Sequence, residues 1–225
     1  MTAKEALKNE LRDRLGPFLR DRGYRGSGSN WRKWSARGDC AIVNVQSSHW
    51  NTSDNQRCII NLSIIVPGDL DWHDFCSPSW KVNRKTPTAV WGMWQGRLHH
   101  GGAGPEEWWR VTNAQDARTE IADMIEQLSA LGLPALEELL DRRNLIRAVA
   151  GEPVRGFHAA RVPHWWALPL LLSDDGVSEA LTAALDELDE IRRSRETSQE
   201  FAQTAQEFAR WAKDRAKRVS AGAGA

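Results

Sequence analysis

One tyrosine, three cysteines and no net charge are the shortages of this chain, and each removes a class of protein. Cys40, Cys58 and Cys76 are odd in number and contain no C-x-x-C pair, so a disulfide framework is not expected. Reduced, mostly buried thiols point to the cytoplasm. The 30 Lys and Arg balance 30 Asp and Glu, which weighs against a general polyanion binder. The best apolar run, 165–172, is far short of the roughly 20 residues that span a bilayer, so no membrane partner is expected. The first residues place Lys4, Glu5 and Lys8 on an amphipathic pattern without the apolar stretch of a signal peptide. No Walker loop, HExxH, kinase set or G-x-S-x-G elbow occurs. The balance therefore leans against an enzyme, and no cofactor is expected.

What the chain does have is tryptophan: 12 residues, nine of them between positions 31 and 109. With 41% apolar and 27% charged residues over 225 positions, the composition is that of a globular protein able to bury a core. The charge is uneven. Residues 1–40 carry ten basic and five acidic side chains, 111–190 six and fifteen, and 191–225 eight and four.

Leu7, Leu11, Leu15, Phe18 and Leu19 form one apolar stripe of an opening helix, with a kink or restart expected at Gly16-Pro17 and an end at Gly23. A turn at 26–30 leads to strands at about 31–37, 40–48 and 56–66. Two more are expected near 89–94 and 107–111, with 67–78 as a long connection. Helical periodicity follows from Gln115, interrupted at Leu131-Gly132-Leu133-Pro134, and a short helix covers 144–150. After Ser173-Asp174-Asp175-Gly176 a very long helix is expected. Its apolar seam runs through Leu181, Leu185, Leu188 and Ile191, is lost over 192–200, and resumes at Phe201, Ala205, Phe208 and Trp211. That distal seam could serve a partner, a second copy of the chain, or a fold-back. A small, Gly-rich tail from about 219 reads as disordered. The fold class is α+β: an antiparallel sheet of about five strands packed by the N-terminal and following helices, with a long C-terminal helix.

Period-two alternation carries the main functional signal. Cys58, Ile60, Leu62, Ile64 and Val66 share one face, as do Ala41, Val43 and Val45. If the opening helix covers these faces, Asn44, Gln46, Asn61 and Ser63 line up on the other. Amides offer donors and acceptors while indoles offer flat apolar area, so the candidate ligand- or partner-binding residues are Asn44, Gln46, Asn61, Ser63, Trp34, Arg84, Trp108 and Trp109. A packed loop or helix satisfying the same polar groups is the structural alternative.

Tryptophans 72, 80, 91, 94, 108 and 109 interleave with Lys81, Arg84, Lys85, Arg97 and Arg110, a mixture that can stack bases. Residues 41–110 carry six charges of each sign, which weighs against nucleic acid. His73 and Cys76, near Asp69, Asp71 and Asp74, have zinc-compatible spacing, but no second cluster completes four ligands. The expectation is no metal and no catalytic residue. The loop 99–105 resembles an esterase oxyanion loop without its nucleophile.

The stretch Phe18-Leu19-Arg20-Asp21-Arg22-Gly23-Tyr24-Arg25, the strand with Gln46-Ser47-Ser48, the strand Ile60-Asn61-Leu62-Ser63-Ile64, Trp108-Trp109 and Leu133-Pro134-Ala135-Leu136 together carry a resemblance. In that order, over about 4–143, the chain resembles an uncharacterised bacterial family, domain of unknown function 4304. It departs at Ser63, where the family tends to have glycine, and around Arg84, where the family tends to carry an arginine beyond a cysteine. The resemblance implies a domain over 1–150, with 151–225 as a helical extension, and it brings no established activity. The leading expectation is a non-enzymatic protein-binding module, in its narrower form an immunity-type protein of a toxin system. A small-ligand binder or enzyme using the polar sheet face is the alternative, and nucleic-acid binding the second.

Overall fold

The computed structural model describes residues 1–77, 79, 82–101, 107–157, 161–162, 164–194 and 198–222. Trp80, Lys81, positions 102–105 of the loop and 223–225 of the tail lie outside the described residues. The chain divides into two compact units: residues 1–66 with 86–163, and residues 67–85 with 164–225.

The first unit opens with α1 (Ala3–Glu10), whose N-terminus is closed by a capping box between Thr2 and Glu5. A π turn (Leu11–Leu15) then joins it to α2 (Gly16–Arg20). The same device recurs later, where α4 (Ala114–Gln127) passes through a π turn (Leu128–Gly132) into α5 (Leu133–Leu139). Both π turns stand just before a proline, Pro17 or Pro134. A proline lacks the N–H donor and its ring crowds the carbonyl four residues back. The wider turn, closed by Gly16 N–H to Leu11 O and Leu133 N–H to Leu128 O, carries the chain past that clash. The expected interruptions are therefore absorbed within continuous helical stretches.

Six strands form one antiparallel sheet: β1 (Arg25–Ser27), β2 (Asn30–Trp34), β3 (Cys40–Ser47), β4 (Gln56–Ile65), β5 (Trp94–Leu98) and β6 (Trp109–Val111). The order is β1-β2-β3-β4-β5, with β6 paired to the start of β4. The hairpin β1-β2 turns at Gly28, whose φ of +59° suits a residue without Cβ. Residues 89–91, expected as a strand, form a short 3-10 turn, and the strand comes later, at β5. One sheet face, with Trp31, Val43, Val45, Ile60, Leu62, Trp94, Leu98 and Trp109, is fully buried against α1, α4 and α5. At Gly132 an added Cβ would lie 2.8 Å from Leu98 and 3.3 Å from Leu62, so the helix approaches the sheet closely there. The buried pair Asp39–Arg142 ties the β2-β3 turn to the first residue of α6 (Arg142–Val149).

The second unit begins where β4 ends. Residues 67–76, expected as a connection, form α3 (Pro67–Cys76): Pro67 holds the first helical position and Asp69 the first turn, both favourable at a helix N-terminus. It packs with α7 (Ala167–Ser173), which neighbours α8 (Glu179–Arg193) and α9 (Gln199–Gly222). The expected single long helix is thus two, with Ser194 leaving helical geometry inside the polar stretch. The distal seam packs within the unit: the Phe208 ring lies 5.1 Å from Trp72 and 5.5 Å from Trp165, and Phe201 lies 5.0 Å from Trp165. Helix α9 continues to Gly222 because its end is engaged, Ser220 Oγ accepting from Val177 N at 3.0 Å. No helix among the described residues is long and apolar enough to cross a membrane.

Candidate functional site

Directly opposed residues of antiparallel strands share a face, so the register assembles the second face of the sheet row by row. One row is Arg32, Ile42, Ser63 and Gln95; the next is Asn30, Asn44, Asn61 and Arg97. Gln46, Arg25, Arg57 and Arg110 lie on this same face.

The first row is covered. Arg32 donates from Nε to Pro87 O at 2.8 Å, and Gln95 donates to the carbonyls of Ala89 and Val90, so the row fastens the segment 86–92 over itself. Ser63 is fully buried beneath it: a Cβ placed on Gly92 would lie 1.9 Å from Ser63 Oγ. Only glycine can pass over the serine at that height.

The second row is half-buried and forms a directed chain of hydrogen bonds. Arg97 Nε donates to Asn61 Oδ1 at 3.0 Å, Asn61 Nδ2 to Asn44 Oδ1 at 3.1 Å, Asn44 Nδ2 to Asn30 Oδ1 at 3.0 Å, and Asn30 Nδ2 to Ser29 Oγ at 3.2 Å. Asn61 Nδ2 also donates to Gln46 Oε1 at 2.7 Å. Each donor in such a chain polarises the next, so the row strengthens cooperatively. The amide oxygens are spent inside the ladder. What remains toward solvent is donor-rich: the Gln46 amide N–H groups and the guanidinium groups of Arg25 and Arg57, with Arg110 engaged to the neutral Asn55 at 3.1 Å. Among the described residues, no Asp or Glu occupies a strand position on this face. Trp34 ends β2 on the same face with 43% of its surface exposed.

The structure thus brings together Asn44, Gln46 and Asn61, places Ser63 beneath the covering segment, and leaves Trp34 on the same face but two rows from the amides, beyond the covered row. Trp109 belongs to the opposite face: it is fully buried and donates from Nε1 to Asp123 Oδ2 at 2.6 Å. Trp108, half-buried, directly precedes β6. Arg84 belongs to the second unit, where it pairs with Asp71 at 2.8 Å and Asp74 at 2.5 Å. Of the arginines on this sheet face, Arg97 and Arg110 stand out in the sequence only by their interleaving with tryptophan, and their meeting with Arg25 and Arg57 depends on the strand register.

Two mixed clusters of titratable groups also emerge. In the first unit His100 Nδ1 lies 3.2 Å from Glu120 and 3.5 Å from Asp123, and burial raises the Glu120 pKa above the usual carboxylate range. In the second unit His73 faces Asp69 and His164, one turn back along α3 and far downstream in sequence, while Cys76 is exposed. His164 lies about 90 residues beyond α3 in the sequence, and nothing in the local pattern connects it with that helix.

A family model described as Domain of unknown function (DUF4304) matches residues 15–138. The chain belongs to this family. The domain of unknown function 4304 segment holds β1 to β6, the whole amide ladder and α3. It leaves out α6 to α9 and with them His164. No curated protein and no solved structure matches the chain.

Proposed function

We propose that this is a non-enzymatic bacterial cytoplasmic binding module whose amide and arginine face engages a protein partner through an acidic, acceptor-rich surface. The observation that carries the reading is the direction of the ladder. With its amide oxygens consumed internally, the face offers N–H groups and positive charge, and the chemistry that satisfies both is carboxylate and carbonyl oxygen. Trp34, on the same sheet face beyond the covered row, adds exposed indole area of the kind favoured at interfaces. The absence of a catalytic motif, together with the half-buried setting of the amides, supports binding over turnover. In its narrower form the partner is a toxin that the module holds in check, a reading supported by the small α+β domain of a family without assigned chemistry.

The test uses a photo-crosslinking residue at position 57 or 44 in the native host, with position 8 on α1 as a control. The expected result is one protein captured from the face positions, not from the control, and lost in an Arg57→Glu/Arg110→Glu variant. Capture of nothing, or equal capture from position 8, overturns the reading.

A second reading has its own support. Five arginines, Arg25, Arg32, Arg57, Arg97 and Arg110, on the same sheet face as an exposed tryptophan also fit single-stranded nucleic acid, with amides on base edges. It predicts retention on a polyanion column that falls steeply with salt, whereas an acidic protein surface predicts a single captured chain.

A further inference from the structure

We propose that Asp69, His73 and His164 form a binding site for one divalent transition-metal ion, zinc in the first place. Their three ligand atoms lie within 4.8 Å of one another. Asp69 is fully buried in the first turn of α3. Its two oxygens are differentiated: Oδ1 accepts from Trp166 Nε1 at 2.8 Å, while Oδ2 carries no hydrogen bond and lies 3.7 Å from His73 Nε2. A buried carboxylate oxygen left without a donor is costly, and its orientation toward two imidazoles is what a cation would satisfy.

The supporting groups are those of a metal site. Trp166 holds Asp69 by its N–H and stacks on His164, with ring centroids 4.7 Å apart and planes 10° apart. It also meets His73 edge-on at 5.8 Å. One indole therefore orients all three side chains, as outer-shell partners do around a metal. Trp72, 6.5 Å from Trp166, continues the apolar wall.

Two imidazoles and one carboxylate select zinc or its neighbours over calcium or magnesium. Metal–nitrogen distances of about 2.0–2.1 Å require the ligand atoms to draw together by less than about 1.5 Å. Three protein ligands leave a coordination position for water or an exogenous donor. The sequence spacing of His73 and Cys76 is compatible with zinc, although no metal is expected from it; α3 instead turns His73 toward Asp69 and leaves Cys76 exposed. His164 lies outside the family match, so the site belongs to this chain's combination of the domain with its C-terminal helices.

The experiment titrates the full chain, freed of metal by chelator, with zinc and separately with cobalt. Calorimetry is expected to give one equivalent, and the cobalt adduct a visible d–d spectrum of low coordination number. Two of the six histidine rings should shift on zinc addition in a nitrogen-15 spectrum of the unmutated chain, a readout that needs no variant to fold. His164→Ala and Asp69→Asn should each weaken binding at least tenfold, Trp166→Phe about tenfold, and His100→Ala should leave it unchanged. No uptake by the parent chain, no histidine shift, or loss in His100→Ala with retention in His164→Ala would overturn the assignment.

Discussion

Removing either partner of the Asp39–Arg142 pair should be among the most damaging single changes in the first unit. The side chains are 1% and 5% exposed, and the contact is two-armed: Nη2 to Oδ1 at 2.5 Å and Nε to Oδ2 at 3.3 Å. Breaking a buried pair from one side strands the other charge in a poorly solvated site, which costs about 3–5 kcal/mol. Set against a domain stability of about 5–15 kcal/mol, that is a large fraction. At roughly 2–4 °C per kcal/mol, Arg142→Met should lower Tm by roughly 6–20 °C. The double variant Asp39→Leu/Arg142→Met removes both charges and should lie much closer to the parent, because apolar replacements of a buried pair are often near neutral. The assay is urea unfolding read by amide exchange of β3 and β4, which reports the first unit alone. A single variant within about 1 kcal/mol of the parent, or a double variant equal to the sum of the singles, would refute the reasoning.

Three further outcomes are expected. Gly92→Ala should destabilise by about 1–3 kcal/mol, since its Cβ would meet Ser63 Oγ at 1.9 Å, and Ser63→Ala should relieve part of the loss in chemical unfolding. Under native conditions a maleimide should label Cys76 alone, with the rate rising about tenfold per pH unit below its pKa, because burial pushes that thiol up to about 11; labelling of three thiols at similar rates in the folded chain contradicts this. Burial pushes Cys40 and Cys58 up to about 12, so the folded state holds their protons more tightly than the unfolded chain. Their contribution to stability should be full below the ordinary thiol range and decline as pH rises through it toward 12, a slope that Cys58→Ala should reduce in alkaline unfolding curves.

The parts legible in the sequence were those whose physics is local. Strands β3 and β4 alternate so regularly that the opposition of Asn44 to Asn61 could be read from parity, and the register places them directly across from each other. Helix α3 was not legible, because its sequence, with Asp69, Asp71, His73 and Asp74, shows little apolar periodicity; Pro67 at its first position was the available signal. Trp108 and Trp109 were counted together as binding residues, although neighbours in a strand point to opposite faces and Trp109 had to face the helices. The basic character of the sheet face depends on which rows meet, and the meeting of His164 with α3 depends on tertiary packing across most of the chain. Neither quantity has a local signature.

The return of the chain to complete its second unit bears on how the protein is made. Helix α3 leaves the ribosome roughly 90 residues before α7, and Trp72 meets Trp166 no earlier than that and Phe208 and Trp211 of α9 later still. At about 5–20 residues per second, that large apolar side chain waits several seconds or more for these rings. The nascent chain therefore passes through a stage in which α3 is made and Trp72 has only Phe75 of its own helix for a ring partner.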